Sequence, residues 1–362
     1  MLGQRAWIVC GSRSLRKSSI WQTLLDDLRR SGIQVVGETI ISREPTIADV
    51  DAVTQRVHRQ AEHADLIISI GGGSAIDVGK AVSAMATNSQ GRSVREFLEG
   101  VGTGAQLDVD PLPFLVLPTT AGTGSEATKN AVISVDDPPC KKSLRSEKMI
   151  PNAVIIDPEL TVSTSTEVTA ASGMDAITQL IESLICLRAN RFTQAISREG
   201  VELALPNLIK ACQDGADQSA RTVMSYAAFL SGVALANSGL GMAHGISAAL
   251  GAICNVPHGL ACAALLPVAL KANREVSAEP LADLGRTLLG KSELSTPAAV
   301  TALINAIEDM CNLLKIPRRL SELGVQREQL PEIVSGSRGN SMNGNPREIS
   351  DSELRLILED IL

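Results

Sequence analysis

Four polar side chains in two stretches of this 362-residue chain have the types and spacing to hold a divalent ion. Asp175 and Gln179 stand four apart in GMDAITQLIESL; His244 and His258 stand fourteen apart in GLGMAHGISAALGAICNVPHGLACAALLPVAL. Positions i and i+4 share a helix face. Asp175 and Gln179 therefore present together, with Glu182 on the same side and Ile177, Leu180, Ile181, Leu184 and Ile185 covering the other. The histidines lie in a segment, 222–270, that contains no Asp, Glu, Lys or Arg, although those types make up 20% of the chain. Such a segment belongs in a core or a membrane. Imidazoles there need a partner, because an unpaired buried polar group costs on the order of a few kcal/mol. A metal ion is one partner and an ordinary hydrogen bond is another. Asp, His and His are competent ligands for a divalent metal, and Gln adds a neutral carbonyl oxygen. Taken alone, an acid in the first turn of a helix is explained equally by the helix dipole.

The surrounding pattern shows what must position these residues. Apolar runs at 6–10, IQVVGETII and DLIISI read as strands, with helices over SSIWQTLLDDLRRSG and TIADVDAVTQRVHRQAEHA between them. Gly32 is placed to end the first helix and Thr46 to cap the second. This alternation argues for an α/β domain on a largely parallel sheet. FLVL and NAVIID supply further strands; from Glu167 onward the pattern is helical, with a helix break expected near Gly173. The expected division is an α/β domain over 1–162 and a helical domain over 163–362. His58 and His63 read as surface residues of a charged helix.

Two loops at carboxyl ends of predicted strands suit phosphate. GGGSAIDVGK opens a helix after DLIISI, and PTTAGTGSE follows FLVL. Glycines let backbone amides approach a phosphate, and a helix N-terminus attracts it. Thr119, Thr120, Thr123 and Ser125 offer hydroxyls. A tight turn capped by Ser74 and an ordinary polar loop are the plain alternatives, but ligands of open α/β sheets collect at such strand ends.

Composition narrows the partners. A net charge of −7 with no basic block argues against nucleic acid. Cys10, Cys140, Cys186, Cys212, Cys254, Cys262 and Cys311 form no CxxC pair, which fits reduced thiols in a cytoplasmic protein. Gly241, His244, Pro257 and His258 interrupt the apolar runs of 222–270, so none reaches the roughly 18–20 residues of a membrane span.

The motifs GGGSxxD, TTAGTGSE, GMDA and HG…PHG, in this order, closely resemble the iron-containing (group III) alcohol dehydrogenase family, and the resemblance extends to the terminal NPREIS. It implies a Rossmann-like dinucleotide-binding α/β domain, an all-helical domain, an active site in the cleft between them, and a homodimer or larger assembly. By resemblance, Gly71, Gly72, Gly73 and Ser74 form the pyrophosphate loop, with Asp77 and Lys80 in the helix that follows. Thr119, Thr120, Thr123 and Asn130 are cofactor contacts, and Lys141 or Lys142 is the cofactor lysine, with the spacing to Pro151 favouring Lys141. Asp175, His244 and His258 are then catalytic metal ligands for Fe2+ or Zn2+. Three positions depart from the family: Gln179 stands where the second ligand is usually His, Ala248 where a proton-relaying His is common, and Gly79 where Ala is usual. Gly11 lies where NAD-preferring members often carry Asp; with Ser12, Arg13, Ser14 and Arg16 nearby, this favours NADP over NAD.

The expected reaction is reversible hydride transfer between a nicotinamide and a small alcohol or carbonyl compound. With Ala248 in the relay position, its proton travels through water, a cofactor ribose hydroxyl or Thr120. Three alternatives stay open: a metal-free Asp–His arrangement, a nucleotide-binding member that has lost catalysis, and a dehydroquinate-synthase-like lyase that uses NAD catalytically.

Overall fold

The structure, a computed structural model, describes residues 2–11, 15–59 and 63–362. It divides into two compact units: residues 1–120 with 124–164, and residues 121–123 with 165–362.

In the first unit, β1 (Arg5–Cys10), α1 (Ser19–Arg30), β2 (Gln34–Ile40), α2 (Ile47–Arg59), β3 (Leu66–Gly71), α3 (Gly73–Asn88) and β4 (Phe114–Pro118) alternate as the apolar pattern predicts. Gly32 follows α1 at a φ of +77°, and the Thr46 hydroxyl accepts from the amide of Asp49 at the start of α2. The hairpin β5 (Asn130–Asp136) and β6 (Pro139–Arg145) comes next, then the two-residue β7 (Ala153–Val154). The main sheet is parallel throughout, in the order β2-β1-β3-β4-β7. Its central strands are buried on both faces: Trp7, Val9 and Ile67 pack with α2 and α3, while Ala6, Ile8, Cys10, Ile68 and Ile70 pack towards α1. Strands covered on both sides read as continuous apolar runs.

Two sequence expectations change here. NAVIID pairs over only two residues. The antiparallel hairpin falls in a stretch that reads as a cation-bearing connection, because β6, PCKKSLR, buries only Leu144. Its partner β5 carries the apolar alternation, with Ala131, Ile133 and Val135 buried.

The second unit is all helix: α4 (Thr166–Ile185), α5 (Arg191–Gln213), α6 (Gln218–Asn237), α7 (Met242–Cys254), α8 (His258–Asn273), α9 (Ala278–Leu289), α10 (Thr296–Leu313), α11 (Leu330–Gly336) and α12 (Asp351–Asp360), with short 3-10 turns between α10 and α12. α4 does not break at Gly173, because that residue lies where a Cβ would sit 2.3 Å from the Leu208 side chain of α5. α4, α5, α6, α8, α9 and α10 share one core; α7, α8, α11 and α12 share another. Helix α8 belongs to both, which explains its Ala/Leu composition and lack of a polar face. Among the described residues no single helix is long and apolar enough to cross a membrane. The α/β unit and the all-α unit match the expected fold class.

Gly79 shows how closely α3 lies on the sheet. A Cβ there would come within 1.9 Å of Ser69 Oγ and 2.9 Å of the Phe114 ring, while Ser69 Oγ donates to the carbonyl of Ala75 at 3.0 Å. The serine on β3 thus occupies the space that an alanine on α3 would need. Gly79→Ala is expected to destabilise the protein by about 1–3 kcal/mol through overpacking. Adding Ser69→Ala should recover part of that loss, a non-additivity that urea denaturation of both single variants and the double variant will measure.

Candidate functional site

The helical unit gathers the predicted ligands. Asp175 faces inward from α4, His244 lies in the first turn of α7, and His258 opens α8. His244 Nε2 is 3.2 Å from Asp175 Oδ1, and His258 Nε2 is 3.8 Å from the same oxygen. The imidazole centroids are 5.5 Å apart. Asp175 and His244 are buried, whereas His258 keeps 31% of its side chain exposed and so marks the accessible side.

Glu182, two turns along α4 from Asp175, orders the site. Its carboxylate accepts the amides of Gly241 at 3.0 Å and Ala243 at 2.7 Å, which lie where α7 begins without a side-chain cap of its own. It also accepts from His244 Nδ1 at 2.7 Å. A carboxylate only accepts, so His244 donates from Nδ1 to Glu182, and this bond aims Nε2 at Asp175, to which it donates when protonated. Gly241 is a requirement of this arrangement, since a Cβ there would come 2.9 Å from Glu182 Oε1.

Cys262, one turn beyond His258 on α8, completes the cluster. Ligand atoms of Asp175, His244, His258 and Cys262 all lie within 4.8 Å of one another. Without a cation the cluster redistributes protons. Burial pushes the Asp175 carboxyl up, but His258 and the His244 hydrogen bond outweigh it and hold the group low. Burial likewise opposes charge on His244, yet Cys262, Asp175 and Glu182 raise that imidazole well above its usual value. Such a donor set, two imidazoles with a carboxylate and a thiol around one point, suits a divalent ion that displaces these protons.

Gln179 has partners of its own. Its Oε1 accepts from Ser231 Oγ at 2.8 Å and its Nε2 donates to the carbonyl of Thr123 at 3.2 Å. The amide thereby ties residues 121–123 of the TTAGTGSE loop to the helical unit. Ala248 lies on α7 and provides no titratable group.

In the α/β unit, the predicted cofactor residues gather at the carboxyl ends of β1, β3 and β4. The Gly11 amide donates to the carbonyl of Ile70 at 2.8 Å, and the Thr119 amide to that of Gly71 at 3.0 Å. Gly11 and Gly71 pack so closely that a Cβ on either would come within 2.8 Å of the other's backbone. Thr120 lies beside Gly72, the N-cap of α3, which no side chain caps. Gly73 and Ser74 form the first turn of that helix, leaving its amides for an anion. In the strand order found here, β1 and β3 flank the switch point where open α/β sheets bind ligands. Ser12 lies outside the described residues, as do Arg13 and Ser14; Arg16 pairs with Glu38.

Asp77 and Lys80 have interior roles. Lys80 Nζ donates to the carbonyls of Ser125, Thr128 and Asn130 and to the Thr128 hydroxyl, at 2.7–3.0 Å. Asp77 accepts the amide of Val132 at 3.0 Å. Lys141, on β6, is paired with Glu44 at 3.2 Å. Burial pushes Asp77 up to about 6 and Glu126 up to about 7, and lowers Lys80 to about 8.

Sequence reasoning did not single out Cys262, Glu126 or Ser231. Cys262 carried a usable signal, its four-residue spacing from His258; Glu126 and Ser231 carried none beyond polarity in a buried context.

Two measurements follow from these geometries. The folded-state value of Glu126 lies above the unfolded one of roughly 4.3, so its share of stability is complete in acid and is lost as pH rises through about 7. Glu126→Gln is therefore expected to lose about 1–3 kcal/mol less than the parent between pH 5 and pH 8 in urea denaturation. Glu182→Gln keeps the volume but turns a donor towards donors. It should weaken divalent metal binding about 10–100-fold in chelator competition.

Comparison with known proteins agrees with this layout. Residues 1–158 match the family described as iron-containing alcohol dehydrogenase, and residues 169–362 match the C-terminal domain of the Fe-containing alcohol dehydrogenase family. The 1,3-propanediol dehydrogenase of Citrobacter freundii is 32% identical over 97% of this chain and 90% of its own length. The NADPH-dependent butanol dehydrogenase of Clostridium saccharobutylicum is 29% identical over 99% of this chain and 90% of its own length. The structure of an alcohol dehydrogenase from Oenococcus oeni superposes with a TM-score of 0.92 at 29% identity, covering 99% of this chain and 93% of that one. With both units matched in order and nearly end to end, the chain belongs to the iron-containing alcohol dehydrogenase family.

Proposed function

We propose that this protein is a metal-dependent, NADP-linked alcohol dehydrogenase that interconverts a small alcohol and its carbonyl compound. The observation that carries this reading is the convergence of Asp175, His244 and His258 on one point, with Glu182 fixing the tautomer of His244. A divalent ion held there supplies Lewis acidity towards a carbonyl oxygen, while a bound nicotinamide supplies or accepts hydride. The protein's own part is positional. Asp175 and the two imidazoles hold their donor atoms in place before any ligand arrives. The apolar walls of α7 and α8 keep the surroundings poor in water, which strengthens charge stabilisation. The uncapped start of α3 and the hydroxyls of Thr119 and Thr120 serve the cofactor phosphates and ribose. Gly11 presents no acid to a 2′-phosphate, and the cations Arg16 and Lys17 follow it in sequence.

The test joins metal analysis of untagged protein to assays with NADPH and NADH over a panel of small aldehydes. Wild-type protein is expected to consume NADPH stoichiometrically with aldehyde and to carry one divalent ion per chain. Asp175→Ala should lose both. Full turnover in metal-free protein would overturn the metal reading, and a tenfold or greater preference for NADH would overturn the NADP assignment. Cofactor binding without turnover on any aldehyde would favour a member that has lost catalysis.

A further inference from the structure

We propose, on the reading of Asp175, His244 and His258 as a metal site, that Cys262 Sγ is the fourth protein donor in place of Gln179, and that the resident ion is zinc rather than iron. Cys262 follows His258 by one helical turn, so both project from the same face of α8. It is fully buried. Its sulfur lies 3.7 Å from His258 Nε2 and 3.1 Å from Ser247 Oγ. The Ser247 hydroxyl also meets the carbonyl of Ala243 at 2.7 Å, which fixes the serine beside the sulfur.

The distances suit a single four-coordinate ion. Bond lengths of about 2.0–2.2 Å to nitrogen or oxygen and about 2.3 Å to sulfur imply separations of about 3.3–3.6 Å between tetrahedral donors. Three of the six donor separations, 3.2, 3.8 and 3.7 Å, lie around that value, and the others are within 4.8 Å. Gln179 fits less well. Its amide is held by Ser231 on one side and by the Thr123 carbonyl on the other, so ligation would break a buried hydrogen bond. Among the described residues, no other three or more His, Cys, Asp or Glu side chains come together in this way.

Charge and softness then choose the metal. An Asp175 carboxylate with a Cys262 thiolate cancels the two positive charges of a divalent ion, whereas Asp with neutral donors alone leaves one. Thiolate donors select zinc, and zinc stands above Fe2+ in the general affinity order for nitrogen, oxygen and sulfur sites.

Cobalt(II) reports the sulfur directly. Metal-stripped full-length protein is titrated with Co2+ in the absence of air, with stoichiometry measured by equilibrium dialysis. One Co2+ per chain is expected, giving visible ligand-field bands and a near-ultraviolet thiolate-to-cobalt charge-transfer band. Cys262→Ser should lose the charge-transfer band and bind Co2+ at least about tenfold more weakly, while Gln179→Ala should keep the band. Zinc, but not equimolar Fe2+, should displace the cobalt. Binding of one Co2+ without the charge-transfer band, in the wild type alone, refutes the role of Cys262 whether or not the variants fold. Survival of the band in Cys262→Ser also refutes it. Displacement by equimolar Fe2+ refutes the choice of zinc. Absence of any Co2+ binding removes the underlying metal reading as well, which separates the two failures.

Discussion

A single carboxylate, that of Glu182, organises the helical unit around its site. It supplies the cap that Gly241 cannot, fixes the proton of His244, and does both from the helix that also carries Asp175. Taking that charge out of water is costly, and the cost is offset only because several donors converge on it. Geometry and stability are therefore coupled: α7 can start where it does only if Glu182 is there to receive its amides, and His244 then points where a cation can use it. Ligand orientation follows from helix capping, without a separate set of contacts.

The α/β unit uses the opposite charge in a similar way. Lys80 is a buried amine with four oxygen acceptors, three of them backbone carbonyls of the TTAGTGSE loop and the start of β5. Asp77 and Glu126 share its surroundings. One cation thus shapes the loop after β4, next to the carboxyl ends of β1 and β3. In both units a long charged side chain on one helix defines a backbone segment far away in sequence.

Much of this was legible because the parallel strands are covered on both faces and appear as runs such as DLIISI and FLVL. Asp175, His244 and His258 stood out because charged or imidazole groups are conspicuous in apolar text. The hairpin of β5 and β6 did not, since the half-buried strand PCKKSLR carries too little apolar alternation. Nor did the continuity of α4, because the break expected at Gly173 depends on intrinsic propensity, which packing against Leu208 overrides. Cys262 was hidden for a chemical reason: a cysteine among alanines and leucines reads as a small hydrophobe. Lys80 and Asp77, read as part of a phosphate-binding helix start, are buried with partners some fifty residues onward. No local pattern could reveal them.

The clamp of Gln179 on the TTAGTGSE loop grips a main-chain carbonyl rather than a side chain. Residues 121–123 are thus held irrespective of the side chain at Thr123, while Lys80 holds the carbonyls just beyond them. Between these two grips the chain has a fixed number of bonds to span. An inserted or deleted residue between them puts the two attachments out of register. The segment is therefore constrained in length, and also at Gly122, where a Cβ would come 2.6 Å from the Ser172 side chain, and at Gly124, whose φ is +61°.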